Sequence, residues 1–154
     1  MVLQADPYPG SETDPADVLR LAEEYRSSAK ALVKLGRFGG SITGAPFRLA
    51  AIHAIELYLN VWLLLDGIEP SVIRGLHHDF AKRTELVLKS DLRLRLKTVQ
   101  HLIALSERRE YIVARYAPEQ LMTLTQPNRL QATLEEVARK VKQRATAGAK
   151  TAAA

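Results

Sequence analysis

Apolar residues recur at helical spacing along most of the chain, and the runs are broken at Gly, Pro and Asp-Pro positions. Residues 1–13 are polar and carry Pro7, Pro9 and Gly10, which predicts a flexible lead. Asp14 stands as a helix N-cap before Pro15 at the first helical position, with Asp17 in the positive first turn. Val18, Leu21, Ala22, Tyr25, Ala29, Leu32 and Val33 follow at helical spacing until Gly36 stops the run. The segment Gly36 to Gly44 holds four glycines and reads as a flexible connection. It lacks the Lys-Ser/Thr pair and the preceding strand of a phosphate-binding loop.

A second helix, almost wholly apolar, is predicted from Pro46 to Asp66, with Gly67 as its stop. A helix that is apolar all round is buried. His53, Glu56 and Asn60 are set into it at i, i+3 and i+7, so they stack on one stripe, which Leu49 and Leu63 continue. Such groups need partners, because a lost neutral hydrogen bond costs roughly 1–3 kcal/mol. The stripe is therefore a core polar network or the floor of a ligand site. Burial by itself raises a carboxyl pKa, and Glu56 is expected to follow. Trp62, Leu63 and Leu64 offer apolar surface for a helix–helix interface with a second copy.

Ile68 to His78 reads as a loop or short turn, and Asp79 as the cap of a third helix containing Phe80, Arg83, Val87 and Leu88. Ser90-Asp91 restarts the chain, and Leu92, Leu96, Val99, Ile103 and Ser106 mark one face of a fourth helix. A further turn or helix runs through ERREYIVARYA to Pro118. Asn128 is expected to cap the last helix, 128–144, whose buried face is Leu130, Leu134, Val137, Ala138 and Val141. Residues 145–154 read as a disordered, low-complexity tail. The expected fold is all-α: an up-and-down bundle of four to five helices forming one domain over 14–144.

Composition narrows the chemistry. With no cysteine among 154 residues there is no disulfide, thiolate nucleophile or Cys-based zinc site. The run 46–65 is long enough to span a bilayer. It carries Arg48, His53, Glu56 and Asn60, and an ionised group at membrane depth costs about 2.5–3.5 kcal/mol. No membrane span is expected. The first residues lack a basic and an apolar leader region, so a cytoplasmic location is expected. The net charge of +5 is unevenly placed, −5 over residues 1–24 and +10 over residues 25–154. A basic body suits phosphate-bearing partners as well as plain solubility.

Several groups could carry a function. His53, Glu56 and Asn60 come first, with His77, His78 and Asp79 at the next loop-to-helix junction. His77, His78 and Asp79 with His53 and Glu56 together supply ligand types for a metal. Helical di-iron sites, however, use Glu-x-x-His on two helices, whereas the order here is His-x-x-Glu and occurs once. No metal ligand and no cofactor is assigned, and a helical metal-binding protein is an alternative reading only. Arg108, Arg109 and Arg115 with Tyr111 and Tyr116 combine guanidinium groups and rings, a mixture suited to phosphate contact and base stacking or to a plain solvated face. The run Arg139-Lys140-x-Lys142-x-Arg144 suits a helix C-terminus, and could also meet a polyanion. Asp79, His101 and Ser106 supply the residue types of a catalytic triad but no motif that assembles them.

The order of these pieces carries a resemblance. AIHAIELYLNVWLLLDG is followed by HHDF after a loop, and later by ARYAP. This is similar to the HEPN superfamily (higher eukaryotes and prokaryotes nucleotide-binding), small helical bundles with an Ala-rich helix containing Glu-Leu, a terminating Gly, a His-x-Leu/Phe and a later Arg-Tyr. The matching positions are Ala51 to Leu65 with Glu56-Leu57, then Gly67, His78-Asp79-Phe80 and Arg115-Tyr116, over roughly residues 15–118. The helix 128–144 is additional. Asn60 replaces the usual Lys after Glu-Leu. Ribonuclease members carry an Arg followed four to six residues later by His in a C-terminal helix, and SERREYIVARYAPE has no such His. The resemblance thus implies a non-catalytic homodimeric module. It would bind a nucleotide or RNA-type ligand, through His53, Glu56, Asn60, His78, Asp79, Arg108, Arg115 and Tyr116, or a protein partner such as a nucleotidyltransferase. The alternative it implies is a metal-independent ribonuclease of toxin type using Arg48 and His53, which have the spacing on the second helix.

Overall fold

The computed structural model describes residues 7–153. Helices α1 (Pro15–Lys34), α2 (Ala45–Leu65), α3 (Pro70–Gly75), α4 (Phe80–Lys89), α5 (Leu96–Glu107), α6 (Glu110–Tyr116) and α7 (Pro127–Ala153) follow in order, with short 3-10 segments at Ile42–Gly44 and Pro118–Thr123. The described residues contain no strand, so the protein is all-α.

The helix ends follow local chemistry. The Asp14 carboxylate accepts from the Ala16 N–H at 2.8 Å, and that of Asp79 from the Lys82 N–H at 3.0 Å. Gly36 (φ 74°) and Gly67 (φ 82°) take the left-handed conformation that ends α1 and α2. Gly44 is held by space: a Cβ there would stand 2.0 Å from the Gly39 carbonyl oxygen. Gly44→Ala should therefore push the 39–44 loop off α2, at a cost of about 1–3 kcal/mol. Urea unfolding reads this, and an unchanged midpoint would show that the two segments do not pass so closely.

Helix α2 is the axis of the fold and packs against α1, α4, α6 and α7. Its stretch Ile42–Leu65 has the length and mean hydropathy (1.4) of a membrane-crossing helix, yet 67% of its apolar window is buried in the fold. Helix α1 runs antiparallel to it: Phe38 packs edge-on to Phe47, Tyr25 on His53, and the Tyr58 hydroxyl donates to Glu23. Ion pairs Arg26–Glu135 and Glu23–Lys142 set α7 antiparallel to α1. Thr98–Glu136 and His101–Thr133 do the same for α5 and α7. The four long helices α1, α2, α5 and α7 thus alternate in direction.

Several expectations are corrected. Residues 92–95 are not helical, so α5 begins at Leu96 and its buried face is Thr98, His101, Leu102 and Leu105, while Leu96 is exposed. Trp62 and Leu63 are buried inside the monomer and provide no interface; the Trp62 ring lies under Arg144 and its Nε1–H donates to the Ser90 carbonyl. Pro127 opens α7, so Asn128 lies within its first turn. The segment 145–154, expected as a disordered tail, is helical to Ala153: alanine has the highest helix propensity, and Thr151 Oγ1 bonds back to the Ala147 carbonyl. Ile68 to His78 contains α3. Of the expected flexible lead, residues 1–6 lie outside the described residues. Residues 8–11 form a turn, in which Ser11 N–H donates to the Tyr8 carbonyl and the Tyr8 ring sits 4.4 Å from the Arg74 guanidinium.

Candidate functional site: a polar-floored cavity beside α2

The stripe on α2 opens onto a cavity of about 630 Å³ between α1, α2, α3, the start of α4 and the 8–13 turn. Glu56, Asn60, His78 and Arg83 form its polar floor. Val18, Leu21, Leu57, Leu64 and Ile73 make an apolar wall, and Arg74 stands at the margin.

Arg83 organises the floor. It sits at i+3 from Phe80 and i−4 from Val87 on the core-facing stripe of α4, and is 1% exposed. Its Nε–H donates to Asn60 Oδ1 at 2.8 Å, and Nη2 donates to the His77 carbonyl at 2.9 Å and lies 3.5 Å from Glu56. His77 supplies that carbonyl from a left-handed backbone conformation (φ 48°), uncommon for a non-glycine residue. Nη1 is buried and has no hydrogen-bond partner among the described residues. A native fold seldom leaves a buried guanidinium donor unmet.

Glu56 is 5% exposed and receives His78 Nδ1–H at 3.2 Å, with His53 Nδ1 at 3.6 Å. Burial is the largest single influence on its carboxyl and would raise it, but His53, Arg83 and His78 together outweigh burial and hold its pKa below the usual glutamate value. Glu56 is thus ionised at neutral pH, the reverse of what burial alone predicts. The floor is a satisfied network except at Arg83 Nη1, and Glu56 and Asn60 both belong to that network and line the cavity.

From the floor a line of rings leads outward. The His78 ring stacks on Tyr111 with centroids 3.7 Å apart, the Arg115 guanidinium lies over Tyr111 and Tyr116, and Tyr116 is exposed. His53, Glu56, Asn60, His78, Tyr111 and Arg115 are therefore brought together. Asp79 caps α4 and accepts from Ser106 Oγ at 3.2 Å. Arg108 stands apart, donating to the Thr123 carbonyl.

Arg48 and His53 are not brought together. Five residues apart on a helix, they point about 140° away from each other at 3.6 residues per turn. Arg48, 1% exposed, forms an ion pair with fully buried Glu110 at 3.7 Å. A second network continues from there. Glu110 accepts from Thr125 N–H at 2.8 Å and from Thr125 Oγ1–H at 3.0 Å. With its only proton so committed, Thr125 Oγ1 accepts from His101 Nε2–H at 3.0 Å. Burial, and then the charges of Arg129, Arg48 and Arg108, push the His101 imidazole down to about 4, so it is neutral at pH 7. Its Nδ1 therefore accepts from the Thr133 hydroxyl at 2.7 Å. His101 thus serves threonines, and the Asp79–Ser106 pair has no histidine.

No group of three or more His, Asp or Glu side chains with metal-binding geometry occurs among the described residues. Sequence reasoning missed Arg83 and Arg74 as site residues. The available signal was an arginine at core spacing between Phe80 and Val87. No family model, curated protein or solved structure matches the chain.

Proposed function

We propose that this is a non-catalytic, HEPN-like helical module of the cytoplasm that binds a nucleotide-type ligand in the α1–α4 cavity. The observation that carries this is Arg83, which lines the floor of a cavity of about 630 Å³ and whose buried Nη1 has no hydrogen-bond partner among the described residues. That volume falls within the range of roughly 300–1,000 Å³ usual for small-ligand sites. Arg83 offers a guanidinium N–H to a phosphate or base carbonyl, a pairing stronger than one between neutral groups. Arg74 adds a second cation once the Tyr8 ring moves aside. The wall of Val18, Leu57, Leu64 and Ile73 suits the face of a base. An RNA-type ligand would continue over His78, Tyr111 and Arg115. Separation of Arg48 from His53 favours binding over cleavage. Pairing of two copies belongs to this reading, with exposed Leu21 and Tyr25 on α1 as available apolar surface, and light scattering tests it.

A thermal-shift screen with nucleoside phosphates and short RNA tests the ligand. At 100 times its dissociation constant a ligand adds about 2.7 kcal/mol. That raises Tm by about 5–10 °C for a chain of this size. Arg74→Ala, at an exposed position, and Arg83→Lys, which keeps the charge beside Glu56, should each abolish most of the shift. A shift that survives both substitutions would place the ligand elsewhere, and no shift with any compound would end the nucleotide reading.

A further inference from the structure

A larger and chemically different feature lies along α7. An open groove of about 950 Å³ runs along α7 and is lined by Arg26, Arg95, Arg139, Lys140, Lys142 and Lys150. Two carboxylates share it, Glu135 and Glu136. Both are already engaged: Glu135 by Arg26 at 2.6 Å, and Glu136 by the Arg95 backbone N–H at 2.9 Å and by Lys140 at 3.5 Å. Burial tends to raise the Glu136 carboxyl, yet the hydrogen bonds from Thr98 and Arg95 hold it down to about 2, so it is ionised and draws on its neighbours at neutral pH. Lys142 is paired with Glu23 of α1 at 3.1 Å, so six cations against three carboxylates leave an excess of three positive charges. Arg139 and Lys150 are exposed and have no carboxylate within ion-pair distance among the described residues.

The lining of the groove tells which polyanion fits. A protein partner is anchored by large apolar or aromatic side chains in a desolvated centre. Here the uncharged lining is Ala132, Gln143, Thr146 and Ala147, with no large apolar or aromatic side chain among them. A phosphodiester backbone needs no such anchor, because phosphate neutralisation and counterion release supply the affinity. From Ala132 to Lys150 the groove follows α7 for about 27 Å at 1.5 Å per residue, enough for several consecutive phosphates. Beyond Val141 no described α7 residue is buried, and the alanine-rich end of the helix carries Lys150 outward from the core.

We propose that the α7 groove binds the phosphodiester backbone of a nucleic acid without reading its sequence, independently of the α1–α4 cavity. The test is fluorescence anisotropy of the full chain with a labelled single-stranded oligonucleotide, titrated at several salt concentrations. Binding should weaken with rising salt with a log–log slope of about −2, from about 0.7 per neutralised phosphate for three charges. Arg139→Gln with Lys150→Gln should flatten the slope by about 1.4 and weaken binding at least about tenfold at low salt. Lys89→Gln, on the exposed face of α4, should leave it unchanged. RNA and DNA of equal length should bind alike. No binding at 50 mM salt overturns the proposal, as does equal loss with Lys89→Gln, or binding lost only with Arg83→Lys. A polyglutamate peptide of matched charge that binds as tightly as the oligonucleotide would assign the groove to acidic proteins instead.

Discussion

Glu110→Gln should destabilise the protein by about 3–5 kcal/mol, the cost of leaving one member of a buried ion pair without its partner. Glu110 is fully buried and Arg48 is 1% exposed, so water does not replace the lost carboxylate. Glutamine has nearly the same shape and can still accept from the Thr125 N–H, which glutamate does at 2.8 Å, so the loss reports charge rather than a cavity. Arg48 already has Nε without a hydrogen-bond partner among the described residues, and Glu110 is the carboxylate within ion-pair distance of it. Combining Glu110→Gln with Arg48→Met should recover much of the loss, because a buried pair replaced on both sides by uncharged groups is often neutral. Urea unfolding of the two single variants and the double variant measures the coupling. A loss below about 1 kcal/mol for Glu110→Gln would mean that Arg48 is solvated in the folded protein. A loss of the expected size would show Arg48 to hold α2 against α6.

Much of the fold was legible because helix ends are written in local chemistry. Asp14-Pro15, Gly36, Gly67 and Asp79 mark their boundaries by rules that involve only neighbouring residues. The α7 face from Leu130 to Val141 was legible for the same reason. The α5 face was not. Leu92 was placed on the helical face with Leu96, whereas residues 92–95 are not helical and the helix opens at Leu96, which rotates His101 inward. The stripe of His53, Glu56 and Asn60 was visible, but its partners are set by tertiary packing. Arg83 is 27 residues from Glu56 in the chain and meets it only through the angle at which α4 crosses α2. Glu110 was hidden among the charges of Ser106-Glu107-Arg108-Arg109. Its burial depends on the left-handed Arg109 (φ 51°), which breaks α5 from α6 and turns the next residue inward.

Acid should weaken the fold first through His101, by up to about 3 kcal/mol between pH 6.5 and 4. The folded imidazole titrates at about 4 against 6.5 when exposed, so the unfolded chain takes up the proton first as pH falls. Stability then rises with pH across this window and is complete above 6.5. The lowered carboxyls act later. Glu56 and Glu136 start from 4.5 in the unfolded chain, so the stability they add is present above that value and is lost only as pH falls below it. The two effects therefore occupy adjoining ranges. His101→Gln keeps a donor and an acceptor for Thr125 and Thr133 but cannot take a proton. Urea midpoints at pH 7, 5.5 and 4.5 should fall steeply for the natural chain and only slightly for the variant. Parallel curves would mean that His101 carries its proton in the folded state. The Thr133 hydroxyl would then have to accept from Nδ1, the bond order from Thr133 to Thr125 would change, and the positive charge of His101 would stand beside Arg48 with Glu110 as the sole carboxylate of that network.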